Sequence, residues 1–100
     1  MPKVEVSAEL GDKIVTREHG RRLRELIETH LGTEPVTIDF GALQITSVSF
    51  FDEAFGQLAL RYGEDLLRMV KFDRIDPFDM ALVQDIIRSR AREAKKRASR

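Results

Sequence analysis

The run Val36-Thr37-Ile38-Asp39-Phe40 alternates apolar and polar residues without a break and is β-branched over its first three positions. That is the signature of a half-buried strand. On both sides the apolar period changes from two to about 3.6. Upstream, Leu23, Leu26, Ile27 and Leu31 follow the i, i+3, i+4, i+8 stripe of a helix packed on one face. Downstream, Phe51, Ala54, Phe55, Leu58 and Tyr62 do the same. A strand set between two amphipathic helices points to parallel pairing with crossover connections.

Further elements extend the alternation. Lys3 to Ser7 places Val4 and Val6 on one side and reads as a first strand, with a turn at Gly11-Asp12 and a short return at Ile14-Val15. Thr16 is the expected N-cap of the first long helix, Gly32 its expected C-cap, and Pro35 prevents continuation. Ser49 is expected to cap the second long helix, with Asp52 three residues on as a capping-box acid. Gly56 inside that helix suggests a close backbone approach, and Gly63 ends it. Leu66 to Phe72 reads as the third main strand. Asp76-Pro77, with Asp79 in the first turn, opens a last helix carrying Leu82, Val83, Ile86 and Ile87. The expected fold is a single α/β domain with a mostly parallel or mixed sheet and helices mainly on one face.

The chain has 17 basic and 17 acidic residues, but they are unevenly placed. From Arg88 to Arg100 there are seven Lys or Arg against one acid, Glu93, so the rest of the chain is net acidic. We divide the chain into a domain over residues 1–90 and a basic helical or frayed tail over 91–100. Such a tail is either a solvated helix end, whose cations suit the macrodipole, or a contact for nucleic acid. The segment holds no aromatic residue to stack on bases, which favours the solvated end. On that reading, removing the residues after Ser89 costs less than about 1 kcal/mol. No apolar run approaches the roughly 20 residues that span a bilayer, and there is no secretory signal pattern. A cytoplasmic domain is expected. The absence of Cys excludes disulfides and thiolate metal sites.

Catalytic chemistry finds little support. His19 and His30 fall on one helix three turns apart, too far to share a metal; His30 borders the apolar stripe and is expected to be partly buried. No phosphate-cradling glycine motif is present. Asp52 and Glu53 suit a first helical turn better than a general-base role. What remains is a hydroxyl cluster, Thr46, Ser47 and Ser49, between the clearest strand and a helix start, followed by Phe50 and Phe51. Helix capping accounts for one of these hydroxyls. Alternatively, Ser47 or Ser49 is a phosphoacceptor or partner contact, where a phosphate would meet free backbone N–H groups.

Two runs then carry a resemblance. Thr16 to Arg24 reads Thr-Arg-Glu-x-Gly-Arg-x-Leu-Arg, and Ser47 to Glu53 reads Ser-x-Ser-Phe-x-Asp-Glu. With the order of elements, they resemble STAS domains, the fold of sulfate transporters and anti-sigma-factor antagonists, and more closely a small bacterial STAS-like family of unassigned function. The resemblance implies a non-enzymatic, cofactor-free regulatory module that binds a protein, a histidine-kinase-like ATPase of the anti-sigma kinase type being the partner class. It places the phosphorylated serine on Ser47, or on Ser49 with a shift of two residues. Thr46 stands where the antagonists have an acid, and Ser49 where they have a glycine. Asp39 matches the acid that often ends the preceding strand. Thr46, Phe50, Asp52 and Glu53 complete the candidate surface. The alternatives are a nucleic-acid-associated protein using the basic C-terminal helix and a small enzyme using Asp39 and the serines.

Overall fold

The computed structural model describes residues 2–11 and 16–98. Three short strands, β1 (Lys3–Glu5), β2 (Val36–Asp39) and β3 (Val70–Asp73), form a parallel sheet in the order β1-β2-β3. Between and after them lie α1 (Val6–Leu10), α2 (Arg17–His30), α3 (Val48–Phe51), α4 (Gln57–Tyr62), α5 (Leu66–Met69) and α6 (Pro77–Ala98). A π-helical turn, Asp52–Gly56, joins α3 to α4, and a 3-10 turn, Gly63–Asp65, joins α4 to α5. The α/β reading and the one-sided sheet hold.

Each strand sits beside its neighbour in sequence, so two crossovers of the usual right hand put their helices on the same face. The side chains agree. Val4, Ile38 and Phe72 are cross-strand partners on the covered side. On the other side Lys3, Thr37 and Lys71 form one cross-strand row and Glu5, Asp39 and Asp73 the next. An all-apolar strand would require cover on both faces; this charged face needs none.

Phe40, Phe51, Phe55 and Phe72 pack as a ring cluster with centroids 5.2 to 6.5 Å apart. They join the sheet to the α3–α4 run. Leu23 and Ile27 of α2 and Val83 and Ile87 of α6 close over that run from either side and are fully buried.

Several expected element ends move. The first strand stops at Glu5, and Val6 and Ser7 start α1; Val6 is buried either way, so alternation could not mark the change. The expected third strand is helical over Leu66–Met69 and becomes a strand only at Val70. A fresh turn nucleated by Gly63–Asp65 carries those residues before the chain extends. Thr16 does cap α2, its hydroxyl accepting the His19 amide at 3.2 Å, but Leu31, in an extended conformation, ends it and Gly32 does not. His30 is exposed. The short strand expected at residues 14–15 lies outside the described residues.

The basic segment is not a solvated end throughout. Helix α6 runs unbroken past residue 90, Ala91 is buried, and Arg90 forks onto Asp52 through two bonds of 2.8 and 2.9 Å. Removing one partner of a largely buried pair leaves an uncompensated charge. Deleting the residues after Ser89 is therefore expected to cost about 2 kcal/mol or more. A denaturant titration showing a loss below about 0.5 kcal/mol would restore the solvated-end reading.

Candidate functional site

At the carboxyl end of β2 the backbone is held by an acid whose own partners lie far away in sequence. Asp39 is only 2% exposed and takes a two-bond fork from Arg74 at 2.9 and 2.6 Å, with Lys3 at 3.4 Å. It also accepts the Gly41 amide at 2.9 Å, turning the chain out of the strand. The Arg74 guanidinium is the main reason its carboxyl is lowered from the ordinary range to about 2; burial works the other way. A carboxylate with a depressed pKa in the fold stabilises it above the unfolded pKa and loses that contribution as pH falls through the folded value. Stability should therefore drop between about pH 4 and pH 2, and Asp39→Asn should flatten this part of the profile. Urea midpoints of both proteins across that range provide the check.

Beyond Asp39 the loop takes an uncommon path. Ala42 and Thr46 have φ of 63° and 46°, and Arg74, across from them, has φ of 48°. Left-handed backbone is rare for non-glycine residues, and a β-branched Thr there is strained. The conformation is held by a buried acid in the first turn of α6. Asp79 is 0% exposed, and its two oxygens accept the Ile45 and Thr46 amides at 2.7 and 2.9 Å. Ala42 adds a bond from its amide to the Arg74 carbonyl at 2.7 Å.

The hydroxyl cluster follows. Ser47, not Ser49, is the N-cap, its oxygen accepting the Phe50 amide at 3.2 Å. The pinned loop delivers the chain to helical geometry two residues earlier than expected, so Ser49 lies within α3, half-buried, and Asp52 falls in the π turn. Phe50 and Phe51 are core residues. Asp52 is committed to Arg90, which also donates to Glu93 at 2.9 Å. Its carboxylate lies over Gly56, where any Cβ would overlap it. Glu53 is clasped by α2: Arg24 bonds its carbonyl at 2.8 Å and its carboxylate at 3.3 Å, and Arg17 reaches the carboxylate at 3.2 Å.

Thus the two motif runs pack on one another. Gly20, at the centre of Thr16–Arg24, lies so close to the π turn that a Cβ there would sit 2.5 Å from the Phe50 carbonyl oxygen and 2.9 Å from the Glu53 Cβ. The glycine admits the approach, and the arginines beside it seal it.

Of the residues singled out in the sequence, Asp39, Phe50, Asp52 and Glu53 are thus engaged within the fold. Thr46 is exposed and Ser47 and Ser49 are half-exposed, on either side of exposed Val48, with Ser47 also engaged as the cap of α3. The sequence reading missed Val48, 59% exposed, and Phe78, 66% exposed, the large apolar side chains left in water among the described residues. It also missed Asp79 as the joint between their two segments, having taken it for an ordinary first-turn acid. Among the described residues no group of three or more His, Cys, Asp or Glu is arranged to hold a metal ion, and no helix is long and apolar enough to cross a membrane.

A parallel sheet covered on one face, with a pinned loop between its central strand and the next helix, defines a STAS-like α/β domain. The chain belongs to the family described as STAS-like domain of unknown function (DUF4325), whose model matches residues 19–79. The matched span contains Gly20, Arg24, Asp39, the Ser47–Glu53 run, Arg74 and Asp79, while Arg90 lies beyond it. No curated protein and no solved structure matches the chain.

Proposed function

We propose that this chain is a non-enzymatic regulatory module whose protein partner docks on the Thr46–Ser49 edge and the start of α6. The observation that carries the reading is a strained loop that buried Asp79 fixes in place, with one exposed apolar side chain on each of the two segments Asp79 joins, Val48 and Phe78. Exposed apolar side chains on a rigid frame suit a protein interface, because little order has to be acquired on binding. The partner class suggested by the likeness to anti-sigma-factor antagonists is a histidine-kinase-like ATPase, met in the cytoplasm.

Phosphorylation of Ser47 or Ser49 is the proposed switch. A phosphate there adds about two negative charges next to Asp52 and Glu53. A partner fitted to a neutral Ser-Val-Ser edge would then enclose an unpaired charge. Ser47→Asp and Ser49→Asp should keep the circular dichroism of the parent, and the variant at the acceptor position should bind the ATPase at least tenfold more weakly. Ser49→Ala should bind normally, and Ser47→Ala should do so after losing about 1 kcal/mol of stability with its cap. Parent-like binding by both Asp variants would remove the switch and leave capping as the role of Ser47.

A further inference from the structure

Cations that are scattered along the sequence meet in a groove of about 660 Å³ between the Gly63–Asp65 turn and the C-terminal half of α6. Arg61, Arg68, Arg92 and Lys95 line it with Tyr62, against two acids of the 3-10 turn, Glu64 and Asp65. Arg92 is exposed and forms no ion pair among the described residues. Arg68 reaches Asp65 only at 4.0 Å, with both side chains in water, where such a pair is worth little. Arg61 is bonded to Glu28 at 2.7 Å, and its guanidinium also lies 5.9 Å from the centre of the Tyr62 ring. Arg88, Arg92 and Lys95 follow i, i+4, i+7 spacing, a stripe about 10 Å long on one side of α6.

The basic end of α6 brings no aromatic of its own, and the fold supplies one from α4, the half-buried Tyr62. Cations along a groove with a ring beside them suit a chain of phosphates whose bases can stack. An acidic polypeptide would use the cations but has no need of the ring. We propose that this groove binds single-stranded nucleic acid, with Arg68, Arg92 and Lys95 on phosphates and Tyr62 beneath a base. The site is separate from the Thr46–Ser49 edge and does not depend on the reading given for it.

The test is fluorescence anisotropy of a labelled oligothymidylate with the full chain. Binding is expected at 50 mM salt, falling roughly twentyfold by 200 mM if about three phosphates are neutralised. Arg92→Gln with Lys95→Gln should weaken binding at least tenfold and flatten the salt dependence. Tyr62→Leu should weaken it at least fivefold while Tyr62→Phe binds as the parent does, thermal melts confirming that each variant is folded. If Tyr62→Leu does not fold, the Arg92/Lys95 pair decides alone. Absence of binding at 50 mM salt, or parent-like binding by the charge variant, overturns the proposal. So does equal affinity for polyglutamate with no loss in Tyr62→Leu, which would make the groove a surface for acidic proteins.

Discussion

Gly20→Ala is expected to destabilise the protein by about 2–3 kcal/mol, although Ala is normally the better helix residue by about 1 kcal/mol. The sign is reversed because the added methyl would meet the Phe50 carbonyl oxygen at 2.5 Å and the Glu53 Cβ at 2.9 Å. Neither can move far. The first is backbone at the α3–π junction, and Glu53 is held by Arg17 and Arg24. Helix α2 would have to retreat, opening the layer in which Leu23 and Ile27 are fully buried. Urea titration of the two proteins measures the difference. An alanine variant as stable as the parent, or more so, would mean that α2 does not approach the π turn this closely.

The second large effect is expected at Asp79. Both its oxygens accept amides, from Ile45 and Thr46. Asn has nearly the same shape but only one accepting atom, so Asp79→Asn turns an NH₂ group toward a backbone N–H. An unsatisfied buried donor costs about 1–3 kcal/mol, and the left-handed Thr46 loses part of its support. We expect about 2–3 kcal/mol of lost stability from these terms together, with faster hydrogen exchange at the Ile45 and Thr46 amides. A variant with the parent's stability and unchanged exchange at both amides would show that the loop holds its shape without Asp79.

These two residues also show what a single sequence conveys. The alternation at Val36–Phe40 and the helical stripes on either side were enough for the α/β order, because period and burial are local properties. Element ends were harder wherever one residue suits two conformations. Val6 is buried as the last alternating residue or as the first of a helix, and Leu66–Met69 is as apolar as a strand yet forms a helical turn. At the site, Thr46, Ser47 and Ser49 were visible as a cluster. Which serine caps depended on a loop pinned by an acid 33 and 34 residues away. The forks from Arg74 to Asp39 and from Arg90 to Asp52 span 35 and 38 residues, and no local spacing announces them. Gly56 was legible as a crowded position. Gly20 was not, for a glycine within a helix shows its reason only when the neighbouring chain is in place.

The held loop gives the surface its meaning. Strain at Ala42 and Thr46, two buried acids, Asp39 and Asp79, and the close seat of Gly20 all act on a few residues between β2 and α4. A protein that needed those residues only as a connection would not require such restraint, since long loops add little entropy cost on their own. Restraint of this kind suits a surface that must be presented in one shape.

The most direct test of the proposed docking is the calorimetric affinity of a histidine-kinase-like ATPase, the proposed partner, for the parent and for a Val48→Asp, Phe78→Asp double variant. Both positions are exposed, so the variant should fold with the parent's stability and lose at least thirtyfold in affinity. Lys71→Glu, on the open face of the sheet, should bind as the parent does. A double variant that binds with the parent's affinity, or a Lys71→Glu variant that alone loses binding, would contradict docking on the Thr46–Ser49 edge and the start of α6.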